Sequence, residues 1–63
     1  MDSWKRIEYL AQELLYNGDE AIFKAGELER EAEYKNGRWF TTQSSRLLFP
    51  EGWQSYRLLT SGS

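Results

Sequence analysis

The side chains of this chain that could do chemistry are carboxylates, amines and hydroxyls, because its 63 residues include no His and no Cys. Acid–base or nucleophilic catalysis would therefore fall on Asp, Glu, Lys, Tyr or Ser. Ser44 and Ser45 have no base to activate them, and no Gly-rich phosphate loop, nucleophile elbow or metal-binding pattern is present. We expect a protein that is not an enzyme and has no catalytic residue, cofactor or metal ion.

A row of glutamates is the closest the sequence comes to a metal site. Glu27, Glu29, Glu31 and Glu33 alternate with other residues, so a strand would place their carboxylates on one face. Calcium sites take about six to eight oxygens from a folded loop. We therefore interpret the row as a solvated acidic face.

A group of basic and aromatic side chains lies in the C-terminal half of the chain. Its members are Lys35, Arg38, Trp39, Phe40, Arg46, Trp53, Tyr56 and Arg57. Rings that stack on bases, flanked by arginines, are typical of surfaces that bind single-stranded nucleic acid. However, adjacent Trp39 and Phe40 would point to opposite faces of a strand, and nine of the ten acidic residues lie in 1–33. Core packing is the preferred interpretation for most of these rings.

A third group falls on one face of a predicted N-terminal helix. Tyr9 and Tyr16 are seven residues apart, and Arg6 and Glu13 share their face. The two rings either pack under the C-terminal half or form an exposed surface for a partner, since Tyr and Arg are common at interface hot spots. Together with Phe23 from a second helix, the partner-binding candidates are Arg6, Tyr9, Glu13, Tyr16, Phe23, Arg38, Trp39, Arg46, Trp53 and Arg57.

Two helices are predicted in the N-terminal half. Residues 3–16 carry a stripe at helical spacing, formed by Trp4, Ile7, Leu10, Ala11, Leu14 and Leu15. Asp2 or Ser3 is expected to cap its start, and the Asn17-Gly18 pair is expected to end it. Asp19 is expected to cap a second helix that begins at Glu20. This helix is expected to be short, because Gly26 disfavours its continuation.

A β-hairpin is predicted after Gly26. The residues from 27 to 35 alternate with period two, and Asn36-Gly37 is a strong signal for a two-residue type I′ turn. Such a turn would place Tyr34 opposite Trp39 and Ala32 opposite Thr41. The alternative is a helix through Leu28 and Ala32 that ends at Gly37. Gly26 and the alternation favour the strand, and short strands are also expected around 38–42, 46–49 and 55–59.

The sequence as a whole predicts an α+β fold. We expect an N-terminal helix, a short second helix and a small antiparallel β-meander with its hairpin at Asn36-Gly37; the alternative is a helical hairpin followed by short strands. Residues 1–63 are expected to form one domain with a frayed tail at 61–63. No apolar run approaches the roughly 18 residues of a membrane span, and we expect a cytoplasmic protein.

Function is predicted only as a class. Ten aromatic residues in so short a chain exceed what its core can enclose, so an exposed apolar patch or a homodimer is expected. We expect a non-catalytic regulator, adaptor or inhibitor that binds a larger protein, of the kind found among phage and mobile-element accessory proteins. The alternative is a small nucleic-acid-binding protein that uses its basic and aromatic hairpin or sheet.

Overall fold

The computed structural model describes residues 4–59, which form one six-stranded antiparallel sheet. The strands are β1 Lys5–Arg6, β2 Glu20–Ala25, β3 Leu28–Lys35, β4 Arg38–Thr41, β5 Leu47–Leu48 and β6 Ser55–Leu58. They lie in the order β1-β6-β2-β3-β4-β5. Two 3-10 helices, Ile7–Gln12 and Pro50–Gly52, complete the regular structure of this part of the chain.

The predicted helix over residues 3–16 is wrong. Lys5 pairs with Tyr56 and Arg6 pairs with Ser55 in β1, and the Ile7 amide donates a hydrogen bond of 3.0 Å to the Gln54 carbonyl. These contacts hold the backbone in an extended conformation where the helix is expected to begin. Only the 3-10 helix Ile7–Gln12 follows. An isolated helix of no more than about 12–15 residues is only marginally stable in water. Pairing with β6 therefore outweighs the local preference of this segment for a helix. The predicted caps Asp2 and Ser3 lie outside the described residues.

The predicted second helix is also wrong, because Glu20–Ala25 forms β2. This strand pairs with β3 on one side and with β6 on the other. Ala21 and Phe23 are buried on the inner face of the sheet, whereas Ile22 and Lys24 point to the outer face. No α-helix occurs between residues 4 and 59. The fold is thus mainly antiparallel β, which corrects both the α+β prediction and the alternative of a helical hairpin.

The hairpin at Asn36-Gly37 is confirmed in position and register. Tyr34 lies opposite Trp39 and Ala32 lies opposite Thr41. Asn36 and Gly37 have φ values of 52° and 79°, the positive values that a type I′ turn requires at both positions. Residues 28–35 are therefore a strand, and the helical alternative for this segment is excluded.

The core lies between the inner face of the sheet and the first 3-10 helix. Its buried members are Leu10, Ala21, Phe23, Ala32, Trp39, Leu48 and Tyr56. The Phe23 and Trp39 rings meet edge to face with centroids 5.0 Å apart, a favourable aromatic geometry. Leu10 is the contribution of the 3-10 helix, so the N-terminal segment covers the sheet although it is not α-helical.

Two further expectations concern the C-terminal tail and membrane-spanning segments. The frayed tail predicted at 61–63 lies outside the described residues. Within residues 4–59, no helix is long and apolar enough to cross a membrane.

Candidate protein-binding groove

An open groove of about 840 Å³ runs between the N-terminal segment and the β4–β5 end of the sheet. One wall comes from Ile7, Glu8, Leu10, Ala11, Glu13, Leu14 and Leu15. The other side comes from Tyr34, Gly37, Arg38, Trp39, Leu47, Leu48, Phe49, Pro50 and Glu51. The 3-10 helix creates this space, because it covers part of the inner face and leaves the β5 end of the sheet uncovered.

The floor of the groove is apolar and closely packed. Trp39 and Leu48 are paired across β4 and β5, and both are buried. The Trp39 ring is held edge to face by Phe23 and by Tyr34, at centroid distances of 5.0 and 5.2 Å. These ring contacts hold Trp39 in place beneath the groove.

Large apolar side chains on the walls remain exposed to solvent. Leu14 is 78% exposed, Phe49 62% and Leu47 43%. Complete removal of a side chain of this size from water is favourable by about 1.5–3 kcal/mol before the costs of association are counted. Scattered exposed leucines are ordinary, but exposed apolar groups that line one groove are typical of a binding site.

Apart from Glu13, the charged side chains that line the groove lie at its exposed rim. Glu8 and Glu51 are exposed, and neither forms an ion pair or side-chain hydrogen bond with another residue of the 4–59 segment. Arg38 is the one basic residue among the described residues that line the groove. The rim is thus acidic around an apolar floor.

Glu13 joins the groove wall to the sheet. Its Oε2 atom accepts a hydrogen bond from the Tyr56 hydroxyl and an ion-paired one from Lys5 Nζ at 3.1 Å. The hydrogen bond from Tyr56 lowers the pKa of the Glu13 carboxyl, an effect that partial burial opposes and Lys5 supports. Burial, and then the Glu13 carboxylate, raise the pKa of Tyr56 above its ordinary value. Glu13 is therefore a structural anion at the base of this wall.

The predicted partner-binding residues are dispersed over the molecule. Glu13, Arg38 and Trp39 line the groove. Phe23 is fully buried in the core. Half-buried Trp53 packs against it, with the two ring centroids 6.4 Å apart. The remaining candidates lie elsewhere, with Tyr9, Tyr16, Arg6 and Arg46 exposed and Arg57 half-buried.

Thirteen of the sixteen described residues that line the groove were not among the sequence-based candidates. They include the exposed residues Glu8, Leu14, Leu47, Phe49 and Glu51. The apolar run Leu47-Leu48-Phe49 before Pro50 is a signal for exposed apolar side chains. On a short strand Leu48 points to one face while Leu47 and Phe49 point to the other, so the three cannot all be buried on one face. Leu14 was assigned to a helical stripe that does not form.

The basic and aromatic group does not form one surface. Trp39 and Tyr56 are buried on the inner face, whereas Phe40 and Arg57 belong to the outer face. Trp4 lies on the outer face, with Lys24 Nζ and Arg57 Cζ each 5.1 Å from its ring centroid. The strand alternation places Glu29, Glu31 and Glu33 on that same face.

Within residues 4–59, no three acidic side chains come close enough together to hold a metal ion. In comparisons with known proteins, no family model, curated protein or solved structure matches this chain. The groove and its chemistry are therefore the basis for the functional proposal.

Proposed function

We propose that this chain is a non-catalytic interaction module that holds an apolar segment of a larger protein in the groove, as a small regulator, adaptor or inhibitor does. The observation that carries the proposal is the exposure of Leu14, Leu47 and Phe49 around the buried Trp39 ring. Apolar anchors seated on a fixed aromatic floor dominate the affinity of many protein interfaces.

The shape of the groove supports a protein segment as the occupant. Its walls are formed by side chains that remain largely in contact with water, so the site is a surface groove, whereas small-molecule sites bury most of their ligand. Its charged groups other than Glu13 lie at the exposed rim, as in many protein interfaces.

A peptide-display experiment tests the proposal. Random peptides of about ten residues, displayed on yeast, are selected against the full chain and then retested against the double variant Leu14→Ser, Phe49→Ser. We expect selected peptides to lose at least about tenfold in affinity. Tyr16→Ser is the matched control, since Tyr16 is 59% exposed but does not line the groove. A failure to select any peptide that distinguishes the groove variant from the control would contradict the proposal.

Self-association through the same side chains is the competing explanation for the groove. Sedimentation at micromolar concentration separates the two. A dimer of the native chain that becomes a monomer in the Phe49→Ser variant would assign the groove to a second copy.

The charge distribution argues against the alternative of nucleic-acid binding. The outer face combines Arg57 and Lys24 with the acidic row Glu29, Glu31 and Glu33, and a phosphate backbone would meet both signs of charge. Oligonucleotide binding at low salt that falls steeply with added salt would favour this alternative over the groove.

A further inference from the structure

The free edge of β5 lies along the groove. β5 ends the sheet, and within residues 4–59 only β4 pairs with it. The Thr41 amide donates to the Arg46 carbonyl at 2.8 Å, and the Arg46 amide donates to the Thr41 hydroxyl at 3.2 Å, so Thr41 and Arg46 stand at a hydrogen-bonded position of the ladder. Such pairs alternate along an antiparallel ladder, which makes Phe40 and Leu47 a non-bonded pair. The amide and carbonyl of Leu47 therefore point away from β4, toward the free side.

The geometry points to strand addition: an extended, basic and apolar segment of the partner pairs with β5 and fills the groove. This inference rests on the proposed function and specifies its ligand. A residue opposite Leu47 would exchange both backbone hydrogen bonds with it. The residues on either side would then direct their side chains to the inner face, where Leu48 and Trp39 form the floor.

The flanking residues set the length of the added strand. Pro50 has no amide hydrogen and begins a 3-10 helix immediately after Phe49, so pairing cannot extend past this point. On the other side, the next residue that would face the free edge is Ser45, whose amide already donates to the Thr41 carbonyl at 2.8 Å and whose φ is positive at 55°. The paired stretch is thus short, about three to five residues. Its backbone hydrogen bonds contribute to the affinity, and side chains seated in the groove add to it and provide specificity.

Charge complementarity specifies the segment further. Glu8 and Glu51 on the rim have no ion-pair partner within the described segment, whereas the Glu13 carboxylate is already paired with Lys5. Among the residues between 4 and 59 that line the groove, Arg38 carries the only opposing charge. Lys or Arg residues that flank the apolar anchors would meet these two carboxylates, and acidic segments would be repelled.

The test uses peptides selected on the groove as described above. Each is synthesised with single backbone N-methyl groups at successive positions. We expect losses of at least about tenfold at every second position, because alternate amides point to β5. Exchange of the Leu47 amide hydrogen should slow in the complex, while that of Gln43, which lies in a loop outside the groove, should not change.

The charge component has its own matched variants. Glu8→Lys with Glu51→Lys should weaken binding about fivefold or more, whereas Glu29→Lys with Glu31→Lys on the outer face should change it less than about twofold. Groove-dependent peptides that are acidic, or that show no period-two response to N-methylation, would overturn strand addition and leave the protein-binding proposal intact. The absence of any groove-dependent peptide would overturn both.

Discussion

The hydroxyl of Tyr56 in β6 and the Lys5 ammonium in β1 donate hydrogen bonds to the same oxygen of Glu13, Oε2. Tyr56 is fully buried, and 43 positions separate it from Glu13 in the sequence. This shared carboxylate fastens the segment after the first 3-10 helix to the inner face of the sheet. It thereby fixes one wall of the groove.

Removal of the Tyr56 hydroxyl should destabilise the protein. Hydrogen bonds to charged groups contribute about 1.5–3 kcal/mol, so Tyr56→Phe should lower the free energy of unfolding by about that amount. Urea unfolding followed by tryptophan fluorescence measures the change. Tyr9→Phe is the control, because the Tyr9 ring is exposed and the Tyr9 hydroxyl has no hydrogen bond within residues 4–59. Equal stability of the two variants would show that the Glu13 contact contributes nothing.

The same contact should make stability depend on acid. The pKa of Glu13 is lowered in the folded protein from an ordinary value of 4.5. Its contribution is therefore fully present above the unfolded pKa and is lost as the pH falls through that value toward the folded pKa. Between pH 6 and pH 3 the native chain should lose more unfolding free energy than Glu13→Gln. Parallel pH profiles for the two proteins would contradict this expectation.

Two phenylalanines should respond very differently to truncation. Phe23 is completely buried against Trp39, whereas Phe49 is mostly exposed on the groove wall. Phe23→Ala should cost about 3–5 kcal/mol, which is comparable to the whole stability expected of a 63-residue domain. Phe49→Ala should stay within about 0.5 kcal/mol. Thermal unfolding followed by circular dichroism compares them, and a similar loss for Phe49 would place it in the core.

The hairpin turn should depend on glycine at one position. Gly37 has φ +79°, a left-handed conformation that costs about 1–2 kcal/mol for a residue with a Cβ. Gly37→Ala should destabilise the protein by about that amount, measured by urea unfolding. Gly52→Ala is the control, since Gly52 has no positive φ and open space around it. An equal effect at Gly52 would attribute the loss to something other than the turn.

The part of the fold that sequence predicted correctly is local. Asn36 and Gly37 accept positive φ, and the alternation of Leu28 to Lys35 matches a pleated strand. These two features fix the β3–β4 register without help from the rest of the chain. The candidate groove was predicted only through Glu13, Arg38 and Trp39. Its N-terminal wall comes from a segment that was predicted wrongly as a helix, and the alternation in Leu47-Leu48-Phe49 separates exposed from buried residues only once the face of the strand is known.

The sequence by itself determined the hairpin and the charge difference between the halves of the chain. It also determined that no side chain of His or Cys is present. Only the tertiary structure decided the state of residues 4–25. Their helical periodicity is real, but Lys5 and Arg6 pair with β6, and Ala21 and Phe23 occupy a strand flanked on both sides. Long-range pairing satisfies backbone groups and buries Phe23 at once, which short helices in so small a chain cannot do.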